Sequence, residues 1–256
     1  MKYPELEKLV DIVAILRSEN GCQWDREQTH TSLRQNMLEE AYEACDAIDE
    51  GDIANLREEL GDVLLQVVLH SQIAKDNGEF DIEAVAKELS DKLIHRHPHV
   101  FGDTKVDSTQ EILDNWDKLK KEEKKDRKSV LDGISKAQSA LMSAQKISKK
   151  VVKVGFEWDS IESLKKCIES EYKEFDEAVL SGDKDKMEDE MGDIFFATVN
   201  LARWYKLDAE QALLRANKKF TKRFKKMEEI AEKPLEKYSY EEYDKLWKQA
   251  KILTEK

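Results

Sequence analysis

The chain is expected to be all-α, built as two tandem helical-bundle halves joined by a charged linker. Three observations predict this. Among 256 residues there are only 9 Gly and 3 Pro, while charged residues make up 38%. Few breakers with many Glu, Lys, Leu and Ala favour helix over sheet. Apolar residues recur at helical rather than alternating spacing. One pattern also occurs twice: Glu40, Glu43, Gly51, Asp52, Glu59, Gly61 and Asp62 reappear as Glu171, Glu174, Gly182, Asp183, Glu190, Gly192 and Asp193, every pair offset by 131. The expected boundaries are residues 1–115 for the first half, 116–130 for the linker and 131–256 for the second half.

Along the chain, Leu6, Leu9, Val10, Val13 and Leu16 give the segment Tyr3 to Glu19 one apolar helical face. It ends at Gly21-Cys22-Gln23-Trp24-Asp25, which recurs as Gly155-Phe156-Glu157-Trp158-Asp159. In each copy the Trp is expected to be a buried plug that fixes the start of the next helix, and Asp159 or Ser160 is expected to cap it. A first acidic helix is predicted over Ser32 to Glu50, a turn at Gly51-Asp52, and a second helix from Asn55 to about Lys75. Val63 to Leu69 and Ile194 to Val199 are apolar nearly all round. Such a run is expected to be buried, in the bundle or in a subunit interface.

Asp81 to His95 reads as a further helix, stopped before Pro98. His95, His97 and His99 are expected to form a structured turn with stacked and hydrogen-bonded imidazoles rather than a metal site. Asp103 to Ser129 is polar and highly charged, as a solvated helix face or linker would be. Leu141, Ile147, Val151, Val152 and Val154 mark one more amphipathic helix before Gly155.

Two carboxylates three apart share a helix face. An antiparallel hairpin about Gly182 therefore brings four of them together, and four cannot all stay ionised without a cation. All the ligands are oxygen, which points to a hard ion, Mg2+ or Mn2+. A solvated acidic face is the bland alternative. A di-iron bundle is disfavoured because neither pair is followed by His at the spacing that architecture uses. The remaining reading is a Mg2+ site acting on a phosphoanhydride. There is no Gly-rich phosphate loop ending in Lys-Ser or Lys-Thr. Lys219 and Arg223, four apart, offer a cationic clamp for phosphate, as Lys92 and Arg96 do in the first half. Near the C-terminus Tyr238, Tyr240, Tyr243 and Trp247 lie among Lys248 and Lys251; plain packing is the default, stacking on a base the alternative.

The net charge of −12 argues against a nucleic acid or an anionic membrane as partner. The three Cys (Cys22, Cys45, Cys167) are scattered and odd in number, as in a reducing cytoplasm. No apolar leader or membrane-length run is evident. A soluble, cytoplasmic protein is expected.

The chain resembles the MazG family of nucleoside triphosphate pyrophosphohydrolases. The resemblance rests on Glu-Glu-x-x-Glu followed by Glu-Glu-Leu-Gly-Asp, on Arg-His-Pro-His-Val-Phe, and on Val-Gly-Phe-Glu-Trp. Asn200-Leu201-Ala202-Arg203 and Ala216-Asn217-Lys218-Lys219-Phe220 add to it. It spans both halves. It implies an all-α homodimer that uses Mg2+ to hydrolyse NTPs and dNTPs to the monophosphate and pyrophosphate. By position it implies Glu171, Glu174, Glu190 and Asp193 as metal ligands, with Lys219 and Arg223 as the phosphate-binding basic pair. Ser170, Lys186 to Asp189 and Trp247 are implied to contact nucleotide, and Glu171, Glu190, Lys219 and Arg223 to carry catalysis. The second half is then the catalytic one and the first mainly structural or dimerising. Yet the second half has Ser170 and Asp189 where the first keeps the doubled Glu39-Glu40 and Glu58-Glu59. The first half thus retains a full set of its own, Glu40, Glu43, Glu59, Asp62, Lys92 and Arg96, and a second active site there is the alternative to a purely structural role. A non-enzymatic helical interaction protein is the competing reading.

Overall fold

The computed structural model describes residues 3–123 and 128–255. Among them there are helices and no strands, as expected. The chain divides into two compact units, residues 1–125 and 126–256.

In the first unit α3 (Arg34–Glu50) and α4 (Ile53–Asp76) form an antiparallel hairpin. The turn is short because Gly51 takes the left-handed conformation, φ 69°, and Asp52 accepts from the backbone N–H groups of Ala54 and Asn55. Such a glycine costs no Cβ strain, and the aspartate satisfies two otherwise orphaned donors. Helix α1 (Pro4–Arg17) packs on α4, and Val13, Leu33, Val68, Leu69 and Ile73 close the core. The short α2 (Gln23–Glu27) follows α1. Helix α5 (Ile82–Arg96) ends at His97, and α6 (Pro98–Phe101) starts at the proline. The His97 and His99 rings lie 5.7 Å apart and tilted, and His97 Nδ1 meets the Leu93 carbonyl at 2.7 Å. The segment is a structured turn with a hydrogen-bonded His97, as expected, but its rings are tilted rather than stacked.

The stretch read as a link is helical over Thr109–Glu122, here α7, and docks on α5. Residues 124–127 of the expected linker lie outside the described residues.

The second unit repeats the hairpin with α9 (Ile161–Ser181) and α10 (Lys184–Trp204), turned by Gly182, φ 73°, and capped by Asp183. Ser160 caps α9, accepting from the Ser163 N–H. Helix α8 (Ala140–Val152) packs on α10 and on α11 (Ala209–Ile230). The Gln145 amide ties this together: its Nε2 donates to Leu207 O and its Oε1 accepts from Ala209 N–H. Buried Ser148 donates to Asn200 Oδ1 at 2.5 Å. Helix α12 (Tyr240–Thr254) packs along α11 around Met227, Leu246 and Ala250.

One burial expectation is corrected. Trp24 is 56% exposed, and Trp158 is only half-buried, so neither is a buried plug. The glycine of each motif carries the structure instead. A Cβ on Gly21 would lie 2.2 Å from the Leu16 carbonyl oxygen, and Gly155 sits at φ +89°. Inside each unit the apolar runs bury one face only. Ile194, Ala197 and Val199 are buried while Phe195 is 58% exposed, and Val68 and Leu69 are buried while Leu64 is not.

Candidate metal and phosphate site

An antiparallel hairpin sets residues level when they lie equally far from its turn. Glu174 and Glu190 are each eight residues from Gly182, and Glu171 and Asp193 each eleven. In the first copy Glu43 and Glu59 are each eight from Gly51, and Glu40 and Asp62 each eleven. The acids thus form two rungs, about 12 and 16 Å from the turn at 1.5 Å per residue.

The structure brings one oxygen each of Glu171, Glu174 and Glu190 within 4.8 Å of one another, and likewise Glu40, Glu43 and Glu59. Partial burial first, then the charges of Glu174, Asp193, Glu171 and Asp189, push the Glu190 carboxyl above its usual range. Glu59 is raised by burial, then by Glu43, Asp62, Glu58 and Glu40. Glu40 is raised by burial, then by Asp62, Glu43 and Glu39. The strongest charge on each comes from its own rung partner or, for Glu190, the level Glu174. Asp193 and Asp62 stand outside the three-oxygen clusters and act on them through their charge.

Ser170 Oγ donates to Glu174 Oε1 at 3.0 Å, which orients that carboxylate. Cys167 Sγ–H points to Glu171 Oε1 at 3.4 Å, and burial followed by this contact pushes its thiol up. Cys167 lies outside the residues the sequence assigns to the site, although it precedes Glu171 by four and so shares its helix face; the 131 offset puts Asn36 in its place in the first half. Lys186 and Asp189 lie in the first two turns of α10.

Lys219 and Arg223 do share a face of α11. With Arg215, Lys218 and Lys222 they line an open cavity of about 480 Å3 whose lining includes none of Glu171, Glu174, Glu190 and Asp193. Trp247 lies instead against Phe220, ring centroids 5.1 Å apart, beside the α11–α12 core. In the first unit Lys92 pairs with Glu88 at 3.5 Å. Arg96 is 9% exposed, lies over Trp116 and is held by Glu123 through both Nε and Nη2.

These features define a tandem all-α protein in which each helical hairpin gathers three glutamate carboxylates close enough to hold a metal ion. Comparison with known proteins makes the class specific. The profile of the MazG nucleotide pyrophosphohydrolase domain matches residues 28–101 and 159–228, one match per hairpin. A nucleoside triphosphate pyrophosphohydrolase/pyrophosphatase MazG of Thermotoga maritima is 46% identical over 249 residues, 96% of this chain and 95% of that protein. A nucleoside triphosphate pyrophosphohydrolase of Escherichia coli K12 is 42% identical over 258 residues, 96% of this chain and 97% of that one. Bacillus subtilis YabN, of uncharacterised function, is 46% identical over 97% of this chain and 52% of its own length. The chain belongs to the MazG nucleotide pyrophosphohydrolase family.

Proposed function

We propose that this chain hydrolyses nucleoside triphosphates, NTPs and dNTPs, to the monophosphate and pyrophosphate, using Mg2+ with Mn2+ as a substitute, and that the second half is the working one. The single observation that carries this is the convergence of Glu171, Glu174 and Glu190 oxygens within 4.8 Å, in a chain of this family. The donor set fits the ion: carboxylates only, hard ligands at close quarters. With Asp193 they would hold it. Bound there, Mg2+ would neutralise phosphate charge and acidify a coordinated water.

The chain's own residues do the rest. Water attacks the α-phosphorus, and the bridging oxygen leaves with pyrophosphate. Glu190, within the carboxylate cluster, would accept the water's proton. Lys219 and Arg223 offset charge on the phosphates. Lys186 to Asp189 and Ser170 contact the nucleotide beside the carboxylates, and Trp247 lies near the base. The first half, with Glu40, Glu43, Glu59, Asp62, Lys92 and Arg96, serves mainly structure and dimerisation. Exposed Phe195 and Phe196 support a homodimer, where an apolar face finds cover. Among the described residues no helix is long and apolar enough to cross a membrane, in keeping with a cytoplasmic enzyme.

The test is pyrophosphate release from ATP with Mg2+ and with EDTA. Release should stop in EDTA. Glu190→Gln should lower kcat at least about a hundredfold, losing a ligand and a base together, while Glu59→Gln leaves it within about twofold of wild type. The reverse pattern would move the working site to the first half. No release from any nucleotide would leave the interaction protein as the better reading.

A further inference from the structure

Five cations line the α11 cavity, and among the described residues Glu255 is the one carboxylate that lines it with them. Glu255 follows the last residue of α12. Its Oε1 accepts from Arg223 Nη2 at 2.7 Å, in a pair whose arginine side chain is 14% exposed and whose glutamate side chain is 52% exposed. One residue earlier, the Thr254 carbonyl accepts from Lys222 Nζ at 3.2 Å. The end of α12 thus sits on the same cations that would receive phosphate.

The arrangement recurs. In the first unit Arg96 stands where Arg223 stands in the second, and Glu123, just past the end of α7, holds it. The two latches differ in tightness. Arg96 gives two hydrogen bonds to Glu123 and is buried beside Trp116, whose ring centroid is 5.2 Å from the guanidinium carbon. Arg223 gives Glu255 one hydrogen bond, and the ring of Trp247 rests on Phe220 instead.

We propose that Glu255 is a positioning residue that occupies Arg223 in place of phosphate, and that the triphosphate displaces it. This rests on the reading that Arg223 meets the triphosphate. A guanidinium binds a phosphate through two parallel hydrogen bonds, more strongly than it binds one carboxylate oxygen. A polyphosphate also meets all five cations, where Glu255 meets one. Until then, Glu255 partly neutralises a patch of like charge and holds the Arg223 side chain over the cavity. In the first unit the same latch is closed twice over and shielded, so Arg96 stays with Glu123.

The experiment uses the full chain. KM and kcat for ATP with Mg2+ are measured for wild type, Glu255→Gln, Arg223→Ala and the double variant. Inorganic tripolyphosphate is titrated calorimetrically in EDTA, a readout that needs no turnover. Glu255→Gln should lower KM and tighten tripolyphosphate binding by about two- to fivefold, the range of an exposed ion pair, with kcat within about twofold of wild type. In the Arg223→Ala background the same substitution should change nothing. An unchanged or raised KM in Glu255→Gln overturns the proposal. Equal tightening with and without Arg223 also overturns it, since removal of one negative charge from the patch then suffices. If ATP is not turned over at all while tripolyphosphate responds as stated, the latch stands and the hydrolase reading falls.

Discussion

Replacing Asn200 by Ala should destabilise the second unit more than any exposed substitution there. The side chain is 2% exposed and Ser148 is fully buried. Asn200 Oδ1 accepts from Ser148 Oγ at 2.5 Å, and its Nδ2 donates to the Phe196 carbonyl at 2.9 Å. Truncation deletes both bonds and strands the Ser148 hydroxyl in an apolar seam between α8 and α10. An unsatisfied buried hydroxyl costs about 1–3 kcal/mol, so about 2 kcal/mol is expected out of the 5–15 kcal/mol of a typical domain. The assay is urea unfolding followed by far-ultraviolet circular dichroism. With a slope of about 2 kcal/mol/M, the midpoint of the affected transition should fall by about 1 M. Ser148→Ala in the Asn200→Ala background should then cost little, because the stranded partner is gone. Asn200 is ten residues from Glu190, about 15 Å along α10, so folded variant should keep its Mg2+ requirement. A midpoint shift below about 0.3 M, or strictly additive single and double variants, would refute the buried-pair account.

Two further outcomes follow from local geometry. Gly182→Ala meets no atom within 4 Å but must hold φ +73°; it should cost about 1 kcal/mol from the backbone alone, read as a lowered urea midpoint, with Gly182→Asn milder. The Glu242 carboxyl is drawn down to about 2 by its hydrogen bond with Lys233, then by the Ser239 N–H in a capping box. A carboxyl lowered from 4.5 in this way stabilises the fold fully above pH about 4.5, and the contribution is lost as pH falls toward 2. Glu242→Gln should therefore lower Tm at pH 7, and the gap to wild type should shrink steadily from pH 4.5 downward. A gap independent of pH would assign the loss to packing.

The all-α class, both hairpins and the three glutamates gathered in each are legible in the sequence because each depends on spacing alone, whereas Asp62 and Asp193, expected among them, stand outside the clusters. Helical periodicity, a glycine that frees a turn and carboxylates at i and i+3 need no tertiary knowledge. What depends on distant partners is not legible. Helix α7 reads as a solvated charged run, since its docking rests on Trp116 and Glu123 finding Arg96, 27 residues before Glu123. Glu255 is likewise 32 residues from Arg223. Trp24 reads as core because it is large and apolar, yet α2 buries none of its residues; Phe195 is exposed because Ile194 and Ala197 fill the interior from the same helix. Cys167 reads as an inert small residue and is instead drawn into the carboxylate cluster by sharing a helix face with Glu171.

The two-residue link Gly182-Asp183 acts as a ruler. Everything about which acids end up opposite one another is counted outward from it, with eight steps on either arm to the inner rung and eleven to the outer. Surface turns are ordinarily where chains absorb added or lost residues. A residue added inside either arm, between the turn and the rungs, would rotate every ligand beyond it by about 100° and scatter the set. The spacing that matters is therefore the helical count from the turn to each rung, and it tolerates no insertion on either side.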